Sequence, residues 1–187
     1  MDRDETGGAV RPQTLLTLAN LGRPRRPSGA AVAAAEPVLP TATVATSQLG
    51  SLIPGPVTEA DLSGLRRLQR IAGHAAAAFL RGDMPDRTDV AALNEVARDS
   101  AARVELSVAE GTLRRDWAWD DDTSVAGYLA RHLIGELAAM QPARLRECAR
   151  QECTLLFYDT TRSRTRRWHA EDPCGWRERQ QTHRAQD

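Results

Sequence analysis

The chain has 187 residues, with 25 basic and 25 acidic side chains, a formal net charge of zero and 41% hydrophobic residues. That composition is globular, and at about 150 residues per domain it allows one domain plus a small module. No apolar run approaches the roughly 18 residues of a membrane span and no secretory pattern opens the sequence, so we expect a soluble, cytoplasmic protein.

Every basic residue is Arg, and aromatics are only 4%, so the core should be built from small aliphatics. The charge is uneven along the chain. Residues 58–140 carry 10 Arg against 14 acids, whereas residues 141–187 carry 10 Arg against 7 acids. A basic tail behind an acidic middle points to an anionic partner, nucleic acid first among them.

Residues 1–13 read as a disordered tail, and residues 22–57 as loosely structured. Residues 1–57 hold seven of the ten prolines, and Gly22 to Gly29 form a cluster of helix and strand breakers. Within this region only Leu15-Leu16-Thr17-Leu18-Ala19 looks ordered, as a strand or a helical turn. A helix should start at Thr58, which can cap it, with Glu59 and Asp61 in the first turn. Leu62, Leu65, Leu68, Ala72, Ala75 and Phe79 recur at three- and four-residue spacing, and Gly82 and Pro85 end the pattern. A second helix is expected over 87–99, with Val90, Leu93 and Val96 or Ala97 on one side.

The period then falls to two. Val104, Leu106 and Val108, then Leu113, Trp117 and Trp119, predict a β-hairpin turning at Glu110-Gly111. Trp117 and Trp119 would pack against the flanking helices. Asp120-Asp121-Asp122-Thr123 should cap another helix, whose stripe runs Val125, Tyr128, Leu129, His132, Leu133, Glu136 and Leu137 until Pro142. His74 and His132 read as packing or surface residues.

The last segment has too few aliphatics for a core of its own, and modules of that size need a metal or a disulfide. It holds all three cysteines in the array Cys148-x4-Cys153-x15-His169-x4-Cys174. Two close pairs of thiolate or imidazole ligands suit tetrahedral zinc. Buried structural cysteines and a Cys148/Cys153 redox pair remain open on spacing alone, while a Cys–His hydrolase has no local signature. The segment between the pairs predicts a hairpin, Leu155–Tyr158 out and Arg166–Trp168 back, with a short helix over 175–184. Trp176 is expected in the small core of this module, with stacking on a base as the alternative. Seven arginines, Arg162, Arg164, Arg166, Arg167, Arg177, Arg179 and Arg184, face three acids over 160–184 and form a candidate DNA-binding set. No nucleophile–base pair or cofactor motif marks an enzyme.

These residues carry a family resemblance. Leu145-Arg146-Glu147-Cys148, Cys153, Phe157-Tyr158-Asp159-Thr160-Thr161-Arg162, Arg166-Arg167-Trp168-His169 and Cys174-Gly175-Trp176-Arg177 follow the pattern of the CGNR zinc-finger family. His169 stands where that family has a Cys, Trp176 where it has Asn, and Ser163-Arg164 where it has an Asn-Gly turn. Residues 14–140 more loosely resemble the ABATE domain that accompanies this finger, through Leu18-Ala19-Asn20. The resemblance implies one structural zinc on Cys148, Cys153, His169 and Cys174, DNA as partner, and a transcription regulator. A homodimer and a small-molecule effector at the N-terminal domain are further expected partners. The alternative is a zinc-stabilised protein-interaction module that has lost DNA binding. The expected fold is α+β: a mostly helical N-terminal domain (14–140) with a small antiparallel β-sheet, then a small treble-clef-like zinc finger (144–184).

Overall fold

A helix with an apolar stripe must bury that stripe against something, and the longest one here organises the molecule. The computed structural model describes residues 11–21, 41–53, 55–98, 102–109, 111–119, 124–150 and 153–184, with 102–107, 109, 114–119 and 181–184 described by backbone only. The elements are α1 (Gln13–Asn20), α2 (Ala42–Leu49), α3 (Asp61–Arg81), α4 (Arg87–Arg98), β1 (Ala102–Ala109), β2 (Thr112–Trp119), α5 (Val125–Ala139), β3 (Leu145–Glu147), β4 (Leu156–Tyr158) and α6 (Trp176–Arg184). The protein is mostly helical, with two small antiparallel sheets, β1–β2 and β3–β4. Among the described residues, no helix is long and apolar enough to cross a membrane.

Leu62, Leu65, Leu68, Ala72, Ala75 and Phe79 of α3 are all buried, as their spacing predicts. α1, α4 and α5 pack around this face. The approach of α3 to α5 is close: a Cβ on Gly64 would lie 2.6 Å from the Cβ of Ala126. Any larger residue at position 64 would force the two helices apart. α3 begins later than expected. Thr58 does not cap it; its amide and hydroxyl instead donate to Asp61 Oδ2, at 2.9 and 2.7 Å. The other Asp61 oxygen accepts from the Val125 amide at 3.3 Å, tying the starts of α3 and α5 together.

Leu15 and Leu18 are fully buried at helical spacing, so Leu15–Ala19 is part of helix α1, not a strand. The first amides of α1 have no side-chain cap of their own. Glu136 of α5 supplies it: its two carboxylate oxygens accept from the Thr14 and Leu15 amides, each at 2.8 Å. That explains why an acid interrupts the α5 stripe. Burial pushes the Glu136 carboxyl above its ordinary value, while those amide bonds pull the other way.

Other expectations need correction. Residues 42–49, read as loose, form α2, with Ala45 and Leu49 buried. Val90 is exposed, because α4 turns Leu93, Val96 and Ala97 inward instead. The cap of α5 is Ser124, whose hydroxyl accepts from the Gly127 amide at 3.0 Å. The Asp120-Asp121-Asp122-Thr123 stretch, residues 1–10, residues 22–40 and the side chains of Trp117 and Trp119 lie outside the described residues. β1 and β2 form the hairpin that the alternation predicts, with Val104 opposite Trp117 and Val108 opposite Leu113. At its tip Val108 and Leu113 are exposed, 73% and 70%.

The tail is wired differently from its sequence reading. β4 does not pair with residues 166–168; it pairs with β3, Leu145 opposite Tyr158 and Glu147 opposite Leu156. The reason is burial. Leu156, Phe157 and Tyr158 are all buried and need cover on both faces. α1 packs on one face, where Leu145, Leu156 and Tyr158 join the same core as the helices, and the Arg166 guanidinium covers Phe157 on the other. Asn20 makes the joint: its Nδ2 donates to the Leu156 carbonyl and its Oδ1 accepts from the Leu156 amide, both at 2.9 Å. One amide side chain thus satisfies both backbone groups of a β4 residue, as a neighbouring strand would.

Candidate metal centre

Four side chains from two local loops meet at one point. Cys148 follows β3, and its amide donates to the Leu155 carbonyl at 3.0 Å, extending the β3–β4 pairing to the first ligand. Cys153 closes a tight knuckle, donating to the Arg150 carbonyl at 2.9 Å. His169 and Cys174 flank the irregular turn that leads into α6. The four ligand atoms lie within 4.8 Å of one another, and Cys153 Sγ stands 3.4 Å from His169 Nδ1. The three cysteines are buried free thiols, and Leu155 and Trp168 pack against them.

The electrostatics suit a cation. Without metal, burial and the neighbouring Cys153 and Cys148 push the Cys174 thiol up to about 12. Burial also raises Cys153. Crowded thiols in a dry pocket resist ionisation because each thiolate repels the next; a divalent cation reverses that repulsion. His169 moves the other way: burial, then the Arg166 charge, lowers it below its ordinary 6.5. It is therefore a neutral imidazole at pH 7, the form that ligates metal. A Cys3His set of this kind holds one zinc as a closed structural site, with no position left for substrate.

Two features position the surface around the centre. Gly175 is buried, and a Cβ there would lie 2.6 Å from Glu171 Oε2 and 3.0 Å from Trp168 Cε3. A side chain there would displace the end of Glu171 and push the Trp168 ring by a few tenths of an ångström. Asp159, fully buried, organises the loop that carries the arginines. Its carboxylate accepts from the Thr161 amide and hydroxyl, at 2.9 and 2.6 Å, and from the Arg166 amide at 2.9 Å. Burial opposes its ionisation, but those bonds and the Arg146 charge outweigh it and hold the carboxyl below its ordinary value. Arg144 Nη1 donates to the Asp159 and Thr161 carbonyls, at 2.9 and 3.0 Å, gripping the loop from the other side. The sequence places Asp159 in a turn and in the family pattern but does not show that its carboxylate organises the loop.

The Arg set divides. Arg162, Arg164, Arg167, Arg177 and Arg179 are exposed. Arg164 sits at φ 54°, the left-handed region that glycine adopts at least cost. Arg166 is spent internally: its Nε donates to the Trp168 carbonyl at 2.9 Å, its Nη2 to the His169 carbonyl, and its guanidinium covers the Phe157 ring. Arg167 and Arg179 come from the loop and from α6, yet both lie over Trp168, 5.2 and 5.9 Å from its ring. Arg179 is also paired with Glu171. Arg184 closes α6, its side chain undescribed. The expectation for Trp176 fails. It is 53% exposed, because Trp168 already occupies the space beside the cysteines.

No curated protein matches the chain. The segment that carries the Cys3His cluster, residues 144–187, matches the CGNR zinc finger family.

Proposed function

We propose that this protein is a DNA-binding transcription regulator whose C-terminal finger, stabilised by one zinc, carries the nucleic-acid contacts. The observation that carries this reading is the meeting of Arg167 and Arg179 at Trp168, from two elements that the cysteine–histidine cluster holds together. With Arg162, Arg164 and Arg177 exposed beside them in sequence, they form a basic surface on a rigid base. The protein then binds and regulates; it is not an enzyme. Arg166, committed internally, acts as a positioning residue for the loop. The helical unit, in the role of an ABATE-like domain, senses an effector or supplies a dimer contact. An open groove of about 520 Å³ between the end of α3 and the finger, edged by Leu80, Arg81, Pro142, Glu147 and Arg167, supports the effector role.

A gel shift of zinc-loaded protein with a random-sequence duplex pool tests the reading. Neutralising about 4–6 phosphates gives affinity that falls steeply with salt, and a charge reversal at Arg167 and Arg177 removes the shift. No retention of either duplex or single-stranded DNA at about 50 mM salt, with one zinc per chain, overturns it. The second reading, a zinc-stabilised protein-interaction module, then takes its place. It is favoured by the pairing of Arg179 with Glu171 and the internal use of Arg166, which thin the basic surface.

A further inference from the structure

An indole left half in water forgoes the burial that makes Trp worth its bulk. Trp176, first residue of α6, is in that position, while Trp168 of the same finger is packed against the cysteines. The chain does not leave it on a loose loop. Cys174, 2% exposed, is held in the ligand cluster, and Gly175 is clamped between Glu171 and the Trp168 ring. The backbone that enters Trp176 is thereby fixed on both preceding residues. Its neighbours outward are cationic: Arg177 and Arg179 are exposed on the same helix.

An exposed aromatic ring at the anchored start of a helix, with the exposed Arg177 next to it in sequence, matches one chemical partner best. A nucleobase offers a π-face, and its own phosphate supplies the anion for the adjacent guanidinium. In a closed duplex those faces are covered by stacking, so only an unpaired base presents one. We propose that Trp176 is a stacking platform for an unpaired nucleobase, with Arg177 on the neighbouring phosphate. The finger then prefers single-stranded or locally opened DNA to closed duplex. This inference rests on the nucleic-acid reading above.

Fluorescence anisotropy tests it, on full-length zinc-loaded protein, with a dye-labelled thymidine oligomer of about 20 nucleotides and a matched duplex. The expected result is tighter binding of the oligomer than of the duplex. Trp176→Ala should weaken oligomer binding roughly 5- to 100-fold, Trp176→Phe should retain most of it, and duplex affinity should hold. Zinc per chain controls for folding; should the Ala variant lose metal, Trp176→Gln replaces it as the non-aromatic variant. Oligomer binding unchanged in the non-aromatic variant overturns the proposal, as does an equal loss on both nucleic acids. Wild type that binds only duplex overturns this inference and leaves the DNA reading standing; wild type that binds neither overturns both. A dimer in sedimentation that Trp176→Ala dissolves assigns the ring to a second copy of the chain and overturns the platform.

Discussion

The helical unit and the finger exclude water with different materials. Around α3 the work is done by aliphatics: Leu15, Leu18, Leu65, Leu68, Leu129 and Leu133 are wholly buried. Around the metal centre the buried side chains are Cys148, Cys153 and Cys174, with Leu155 and Trp168, among the described residues, packed against them. The finger has other apolar residues, but Leu145, Leu156 and Tyr158 are committed to the helical core. A segment this short cannot supply both an interface and a core, so chelation replaces burial. The difference teaches that the two regions are neither independent domains nor one core: they share a hairpin and differ in what holds each side.

Metal removal should give the largest effect, since structural zinc contributes on the order of 10–16 kcal/mol in small fingers. Chelation, or Cys174→Ser, should abolish amide protection over 161–175 while leaving most helical circular dichroism. Collapse of both signals in one transition would break the comparison. Acidification should act in the same direction. The raised thiol pKa values of Cys153 and Cys174 mean that zinc must displace protons there, so affinity rises with pH and falls as pH drops. Proton release on titration with zinc, followed in a weakly buffered indicator dye, checks the sign.

Leu129→Ala strikes the other material. Fully buried in α5, it should cost about 2–5 kcal/mol in urea unfolding, with zinc stoichiometry unchanged. Loss of zinc in this variant would show the finger leaning on the helices more than chelation implies. Asn20→Ala attacks the joint. It strips both partners from the Leu156 backbone and should cost about 1–3 kcal/mol, read as faster hydrogen exchange at the Leu156 amide.

Glu136→Gln should have the smallest effect: the amide nitrogen of Gln cannot accept from a backbone amide, so one of the two cap bonds is lost at about 0.5–2 kcal/mol, and a pH-dependent part is added. Because the Glu136 carboxyl is raised, the fold binds its proton more tightly than the unfolded chain does. Its contribution is complete below the ordinary value of 4.5 and is lost as pH rises through the higher folded value. The Gln variant should flatten that part of the stability curve, measured as urea midpoints between about pH 4 and 7. Unchanged curvature would mean that the bonds to Thr14 and Leu15 hold Glu136 ionised throughout.

Much of this was legible in the chain. The α3 stripe reads directly from spacing, because a helix repeats every 3.6 residues whatever it packs against. The β1–β2 hairpin reads from alternation, because side chains on a strand repeat every two residues. The four metal ligands are local pairs with a fixed separation; spacing alone left structural and redox cysteines open, and the resemblance to the CGNR family selected zinc. The failures share a cause. Residues 166–168 alternate like a strand, but whether they pair depends on which edge of β4 is free, and β3 takes it. Arg166 has the chemistry of a phosphate ligand, but its partners are the carbonyls of Trp168 and His169, brought to it by the turn around Asp159.

The sequence by itself determined α3 to α6, the β1–β2 hairpin and, with its family resemblance, the Cys3His set, since periodicity and ligand type are properties of short segments. The tertiary structure alone decided that Asn20 binds β4 across 136 residues of chain, that Glu136 caps α1, and that Trp168 rather than Trp176 fills the finger. Each of these depends on two distant segments competing for the same space or the same hydrogen bonds, and no local pattern records the outcome of that competition.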